Sequence, residues 1–303
     1  MGQLATRRSE RGLDWFTFFV ADIQTGFGPF LAIYLTTQKW TQADIGLILA
    51  IGSIAGLVSQ LPAGWLVDRA PFKRRLAVLA VTGIGLSALL IALAPSFLGV
   101  LAAKLLHVAS SSVLGPAIAA ITLGLVGHAA VGPRLGRNAR FASIGNGLAA
   151  AVMGAVGYLV SPQPVFLVTA ALAVPTLIAL YQIRESEIDP ALADGGFAGE
   201  AATVASPTSW TALIRKHALI VLVLCVFLFH AANAAMLPLI GTEMAMRSGT
   251  IRLPLLGIEF STGQWASALI AICIVVPQLV VALVAPRVGR LAVEKGRRPV
   301  LIA

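Results

Sequence analysis

Long apolar runs interrupted by clusters of Arg and Lys set the pattern of this chain. A helix rises about 1.5 Å per residue, so roughly 20 apolar residues cross a hydrocarbon layer about 30 Å thick. Eight runs reach that length, at 14–36, 43–66, 76–93, 97–126, 139–160, 165–183, 218–246 and 262–285. None alternates apolar and polar positions over short segments, as strands of a membrane barrel do, so the pattern predicts helices throughout. The fourth run exceeds what a crossing needs and holds Gly115-Pro116, which predicts a kink or an interfacial end. After the sixth run the pattern lapses. Glu185, Glu187, Asp189, Asp194, Gly195, Gly196 and Glu200 mark a polar linker. The chain therefore divides into a six-helix membrane bundle at 1–183, a cytoplasmic linker at 184–216 and an incomplete second bundle at 217–303.

Composition agrees: 58% of the 303 residues are hydrophobic and 12% charged, too apolar for a soluble domain of this size. The net charge of +9 would suit nucleic acid, but the placement of the cations argues for a membrane instead. One set of ends receives Arg7, Arg8 and Arg11, then Arg69, Lys73, Arg74 and Arg75, then Arg134, Arg137 and Arg140. It goes on to receive Arg184, Arg215 and Lys216, and finally Arg287, Arg290, Lys295, Arg297 and Arg298. The opposite face gets only Lys39, Arg247 and Arg252, while Lys104 falls within a run. Such alternation is the positive-inside pattern, and it predicts a multi-pass protein of the cell inner (plasma) membrane with a cytoplasmic amino terminus. The first run is too long for a secretory signal and is followed by seven more, so it is read as retained.

The runs also repeat. Asp22 precedes Pro29 in the first, and His230 precedes Pro238 in the seventh. Gly64-x-Leu66-x-Asp68-Arg69, followed by Lys73-Arg74-Arg75-Leu76, closes the second run. A partial copy closes the eighth, with Gly289, Leu291, Gly296, Arg297, Arg298 and Leu301, and Val293 where the acid would stand. This paired signature resembles the cytoplasmic motif of the major facilitator superfamily, with Pro71 and Phe72 where that family has Gly and Arg. Two halves repeated in the same orientation suit it as well.

The resemblance implies an all-α membrane protein with the major facilitator fold, here six helices of one bundle and the first two of another. Family members have twelve spans, so the sequence is expected to be a fragment that ends as a ninth begins. In the family the first, fourth and seventh helices line a central cavity, which places Asp22, Lys104, His107, His230 and Asn233 near a shared polar space. Asn146 on the fifth would face that space or a neighbouring helix. A charge at mid-membrane is costly, and Asp22 and Lys104 are expected to form a partly desolvated pair linked to transport. Gly64, Asp68, Arg69 and Arg74 form the expected gating motif, and Gly289, Gly296, Arg297 and Arg298 a second one. Gly145 and Gly154 follow the spacing of the family's antiporter signature, with Tyr158-Leu159 where that signature has Gly-Pro, which favours export over uptake.

No phosphate-binding loop, strand-linked glycine fingerprint or metal-ligand cluster appears in the sequence, so no cofactor, metal or enzymatic role is expected. The expected partners are a small-molecule substrate, protons and lipid, without nucleic acid, for a chain acting as a monomer. The function read from the sequence is secondary active transport of a small solute by alternating access, coupled to protons and in the direction of export. A non-transporting polytopic sensor or assembly partner, or an inactive truncated permease, is the competing reading.

Overall fold

Helices form where the apolar runs predict them. A computed structural model describes residues 6–25, 29–195, 217–233, 236–246, 250–253 and 258–294. The first run yields α1 (Arg7–Thr25) and α2 (Pro29–Thr37), and the next two yield α3 (Gln42–Arg69) and α4 (Lys73–Leu93). The fourth and fifth join as α5 (Phe97–Leu159), and the sixth is α6 (Pro164–Gln182). A 3-10 turn (Glu185–Glu187) and the one-turn helix α7 (Pro190–Ala193) follow. The seventh run gives α8 (His217–Asn233) and α9 (Met236–Met246). An antiparallel hairpin of β1 (Thr250–Leu253) and β2 (Ile258–Ser261) leads to α10 (Thr262–Glu294). Local chemistry sets several of these bounds. Thr41 caps α3 by accepting the Asp44 N–H at 3.1 Å, and Ser96 caps α5 by accepting that of Gly99 at 3.2 Å.

The first run is described as α1 and α2, with 26–28 outside the described residues, and the seventh as α8 and α9, with 234 and 235 outside them. In the fourth run, Pro116 keeps helical geometry and the break lies at Gly127, with φ 69°. Only glycine takes that left-handed value without steric cost. The turn folds α5 into two arms that run side by side, joined by the Asn138 Nδ2 donor on Thr122 Oγ1 at 2.9 Å. Helices α3, α4, α5 and α6 and residues Ala268–Val288 of α10 are long and apolar enough to cross a membrane.

The main core gathers α1, α2, α4, α6 and the first arm of α5 around residues such as Phe16, Ile84, Leu114 and Leu180. Helix α2 is apolar all round and buried on both sides. Leu31, Tyr34 and Leu35, at i, i+3 and i+4, face this core. Phe30 and Ile33 face a second cluster, made with Ala149 and Met153 of α5 and Ile270 of α10. Thus α2 and the second arm of α5 carry the packing between the two parts of the chain, with α9 also seated on α2. By contrast, the residues of α8 described for burial are exposed.

Candidate functional site

Two cavities open where α1, α3 and α5 meet. The larger, about 360 Å³, is walled by Thr17, Val20, Ala21 and Gln24 of α1, Gly115, Ile118 and Ala119 of the first arm of α5, and Leu135, Asn138, Ala139, Ala142 and Asn146 of the second. The smaller, about 280 Å³, is walled by Gln24 of α1, Gly56 and Gln60 of α3, and His107, Val108, Ser111 and Ser112 of α5. Helical spacing builds both walls. Positions 107, 111 and 115 make one stripe at intervals of four, 56 and 60 another, and 17, 21 and 24 a third. Gln24 lines both spaces. Of the sequence candidates, His107 and Asn146 line these walls, whereas Asp22 and Lys104 do not. Gln24, Gln60, Ser111, Ser112, Thr17 and Asn138 are not among the sequence candidates, which were charged groups, histidines and two asparagines. The signal was present, since Ser111 lies one turn beyond His107.

The expected Asp22–Lys104 pair does not form; no ion pair joins them. Depth along a helix does not fix the direction of a side chain around it, and here the two turn to different neighbours. Asp22 is 3% exposed and packs against Gly145 on the second arm of α5. A β-carbon at Gly145 would stand 2.8 Å from Asp22 Oδ1 and would collide with the Phe18 carbonyl. Asp22 Oδ1 itself has no hydrogen-bond partner. The Lys104 stem instead crosses α3 at Gly52, where a β-carbon would stand 2.9 Å from Lys104 Cγ. His107, one turn along from Lys104, is buried.

His230 and Asn233 are not brought to these cavities. Both are exposed on α8; the His230 ring meets Phe229 edge-on, and Asn233 Nδ2 donates to the Phe229 carbonyl at 2.8 Å.

The end of the bundle where α1 begins carries a rim of charge. Asp14, 2% exposed, accepts hydrogen bonds from Arg134 Nη2 at 2.7 Å and Arg137 Nε at 2.9 Å on one oxygen and from Arg137 Nη2 on the other. Arg134 Nε also donates to Asn138 Oδ1 at 3.0 Å. In the motif between α3 and α4, Lys73 is buried and donates to the Val67 and Asp68 carbonyls at 2.6 and 3.0 Å, capping the negative end of α3. Its third bond, at 2.7 Å, reaches Asp194. Arg74 reaches the Ile183 carbonyl at 2.8 Å and Glu185 at 3.2 Å. These cations therefore hold the segment that follows α6. The same segment is tied to the start of the chain: the Thr6 N–H and hydroxyl donate to Glu187, and the Arg184 N–H donates to Ser9 Oγ at 3.1 Å. Burial alone would raise the Glu187 carboxyl, but the Thr6 and Ser9 donors and Arg184 outweigh it and hold the group below its ordinary value. Asp68 and Arg69 are exposed, with Arg69 lying 4.1 Å from the centre of the Trp65 ring, and Gly64 faces open space. The Asp68 carboxylate makes no hydrogen bond or ion pair among the described residues. In the second motif Gly289 falls on α10, while Gly296, Arg297 and Arg298 lie outside the described residues.

The family model described as Major Facilitator Superfamily matches residues 15–303. Two proteins from strains of Mycobacterium tuberculosis, each described as an uncharacterized MFS-type transporter, are 36% identical over 299 residues, covering 97% of this chain and 68% of theirs. Among solved structures, a POT family transporter in complex with 5-aminolevulinic acid aligns with a TM-score of 0.58 at 12% identity, over 95% of this chain and 70% of that one. A POT family transporter in complex with a thioalcohol conjugated peptide aligns with a TM-score of 0.57 at 14% identity, over 96% and 71%. At such identities the structural likeness speaks for the fold alone.

Proposed function

Because the chain belongs to the Major Facilitator Superfamily, we propose that it moves a small solute across the cell inner membrane by alternating access, with proton coupling and in the direction of export. The observation that carries the coupling is Asp22, a carboxyl buried within the first membrane run whose Oδ1 has no hydrogen-bond partner. A charge there needs a cation, water or a proton, and among the described residues no cation is paired with it. Asp22 packs on Gly145, and the next residue, Asn146, lines the larger cavity. Binding or losing a proton at Asp22 would therefore act on the solute space through the contact between α1 and α5, not by direct touch.

The cation pattern supports a cytoplasmic amino terminus. In that orientation α2 and α9, which pack together, lie towards the outer end of the seam between the two bundles. The protein acts as a monomer, with 184–216 as the cytoplasmic link. Closing the inner end would bring the exposed Asp68 and Gly64 towards the second bundle, so the motif gates the inner side through Asp68 while Lys73 and Arg74 anchor it to the first bundle.

The test uses inverted vesicles that contain the complete protein and carry an imposed pH gradient reported by an entrapped dye. Addition of a transported solute should release the gradient with the native protein and leave it intact with Asp22→Asn at equal expression. Equal release by both would end the coupling role of Asp22.

A further inference from the structure

The walls of the two cavities make a statement about what fits them. Among the described residues, no carboxylate, ammonium or guanidinium lines either space. Asp22, packed against Gly145, and Lys104, whose stem lies against Gly52, are not among the lining residues. What remains is amide, hydroxyl and imidazole. The Gln24 and Gln60 amides make no side-chain hydrogen bond among the described residues, so each offers an N–H donor and a carbonyl acceptor. Ser111 and Ser112 both commit their hydroxyl protons to the Val108 carbonyl, at 3.3 and 2.8 Å, leaving acceptor lone pairs towards the cavity. Next to this polar pocket, and sharing Gln24 with it, the larger cavity is walled mainly by apolar side chains and alanines.

A dry site for an anion needs Arg or Lys, and one for a cation needs a carboxylate or aromatic faces. Neither set lines these walls. We infer that the solute is an uncharged organic molecule with an amide-like group, donor and acceptor together, held between Gln24 and Gln60, and with an apolar body lying against Val20, Ile118 and Leu135. This rests on the transporter reading above and adds the class of solute to it. It also separates the two tasks: Asp22 would handle the proton, and the glutamines the solute.

Three probes with one aromatic skeleton test it: phenylacetamide, phenylacetate and phenethylamine, which are neutral, anionic and cationic. Each is titrated into the purified complete protein while the melting temperature in detergent is followed. Phenylacetamide should raise the melting temperature at concentrations at least about tenfold below those needed by either ion, and Gln60→Leu should remove that preference. Gln60→Glu supplies a second, independent reading, since it should shift the preference to phenethylamine. Stabilisation led by phenylacetate or phenethylamine in the native protein, stabilisation by none of the three, or a preference unmoved by both substitutions would overturn the assignment. Gradient release in the vesicle assay by a charged solute would leave the transporter reading standing while this class assignment fell.

Discussion

Asp14 and Asp22 stand on the same helix, about two turns apart and equally removed from solvent, yet their surroundings are opposite. Asp14 is held by two guanidiniums that satisfy both of its oxygens. Asp22 is held by packing alone, with one oxygen left without a partner. Both must meet the cost of taking a carboxylate out of water. At the rim a fixed network meets it, and at mid-membrane it is left for something mobile to meet. The rim is thus fixed by charge pairing, whereas the middle of α1 is fixed by packing, and a proton at Asp22 is the proposal that this difference supports.

The largest expected effect comes from breaking the first member of this pair. Asp14→Asn would leave the buried Arg134 without its counter-charge, and breaking a buried pair costs about 3 to 5 kcal/mol. Folded yield and melting temperature of the purified protein should fall sharply. A variant as stable as the native chain would mean that the rim network is not what holds α1 to α5. Next comes the packing on Asp22. Gly145→Ala places a methyl group against the Phe18 carbonyl, and overpacking of this kind costs about 1 to 3 kcal/mol. It should also weaken any pH dependence of transport by pushing α1 off α5. Asp22→Asn has a smaller effect on folding. It removes no hydrogen bond from the unpartnered Oδ1 and should change stability by less than about 1 kcal/mol. A loss as large as that from Asp14→Asn would abolish the contrast.

Much of this architecture could be read from sequence, because run length and charge alternation are governed by the bilayer itself. Long-range pairing was not legible. Nothing local links Asp14 to Arg134, or Lys73 to Asp194, across more than a hundred residues. The helical position of Lys104 gave its depth but not its direction, so the pair with Asp22 was a reasonable expectation that the packing at Gly52 overturned. The segment after α6 was legible only in part. Its acids mark a polar linker, and within it Ile188 and Ala193, five positions apart, are buried in the core and draw the chain onto the turn of α5, where the Asp189 N–H donates to the Gly124 carbonyl at 3.0 Å.

That segment gives the mildest way to sharpen the comparison. Glu187 lies on the same rim as Asp14, but its partners at Thr6 and Ser9 are neutral, and Arg184 stands 3.5 Å away with its side chain 55% exposed. An exposed ion pair of this kind contributes no more than about 1 kcal/mol. Because the folded protein holds the Glu187 carboxyl below its ordinary value of 4.5, the clasp contributes its full stability above that pH and loses it as the pH falls through the lower, folded value. Acidification should therefore loosen the start of α1 while the rest of the rim remains assembled. Hydrogen exchange at the Thr6 and Ser9 amides should quicken below about pH 4.5, and Glu187→Gln should give the faster rates already at neutral pH. Exchange that is slow and pH-independent beyond the chemical rate would show that the apolar anchors at Ile188 and Ala193 hold the segment without the carboxylate.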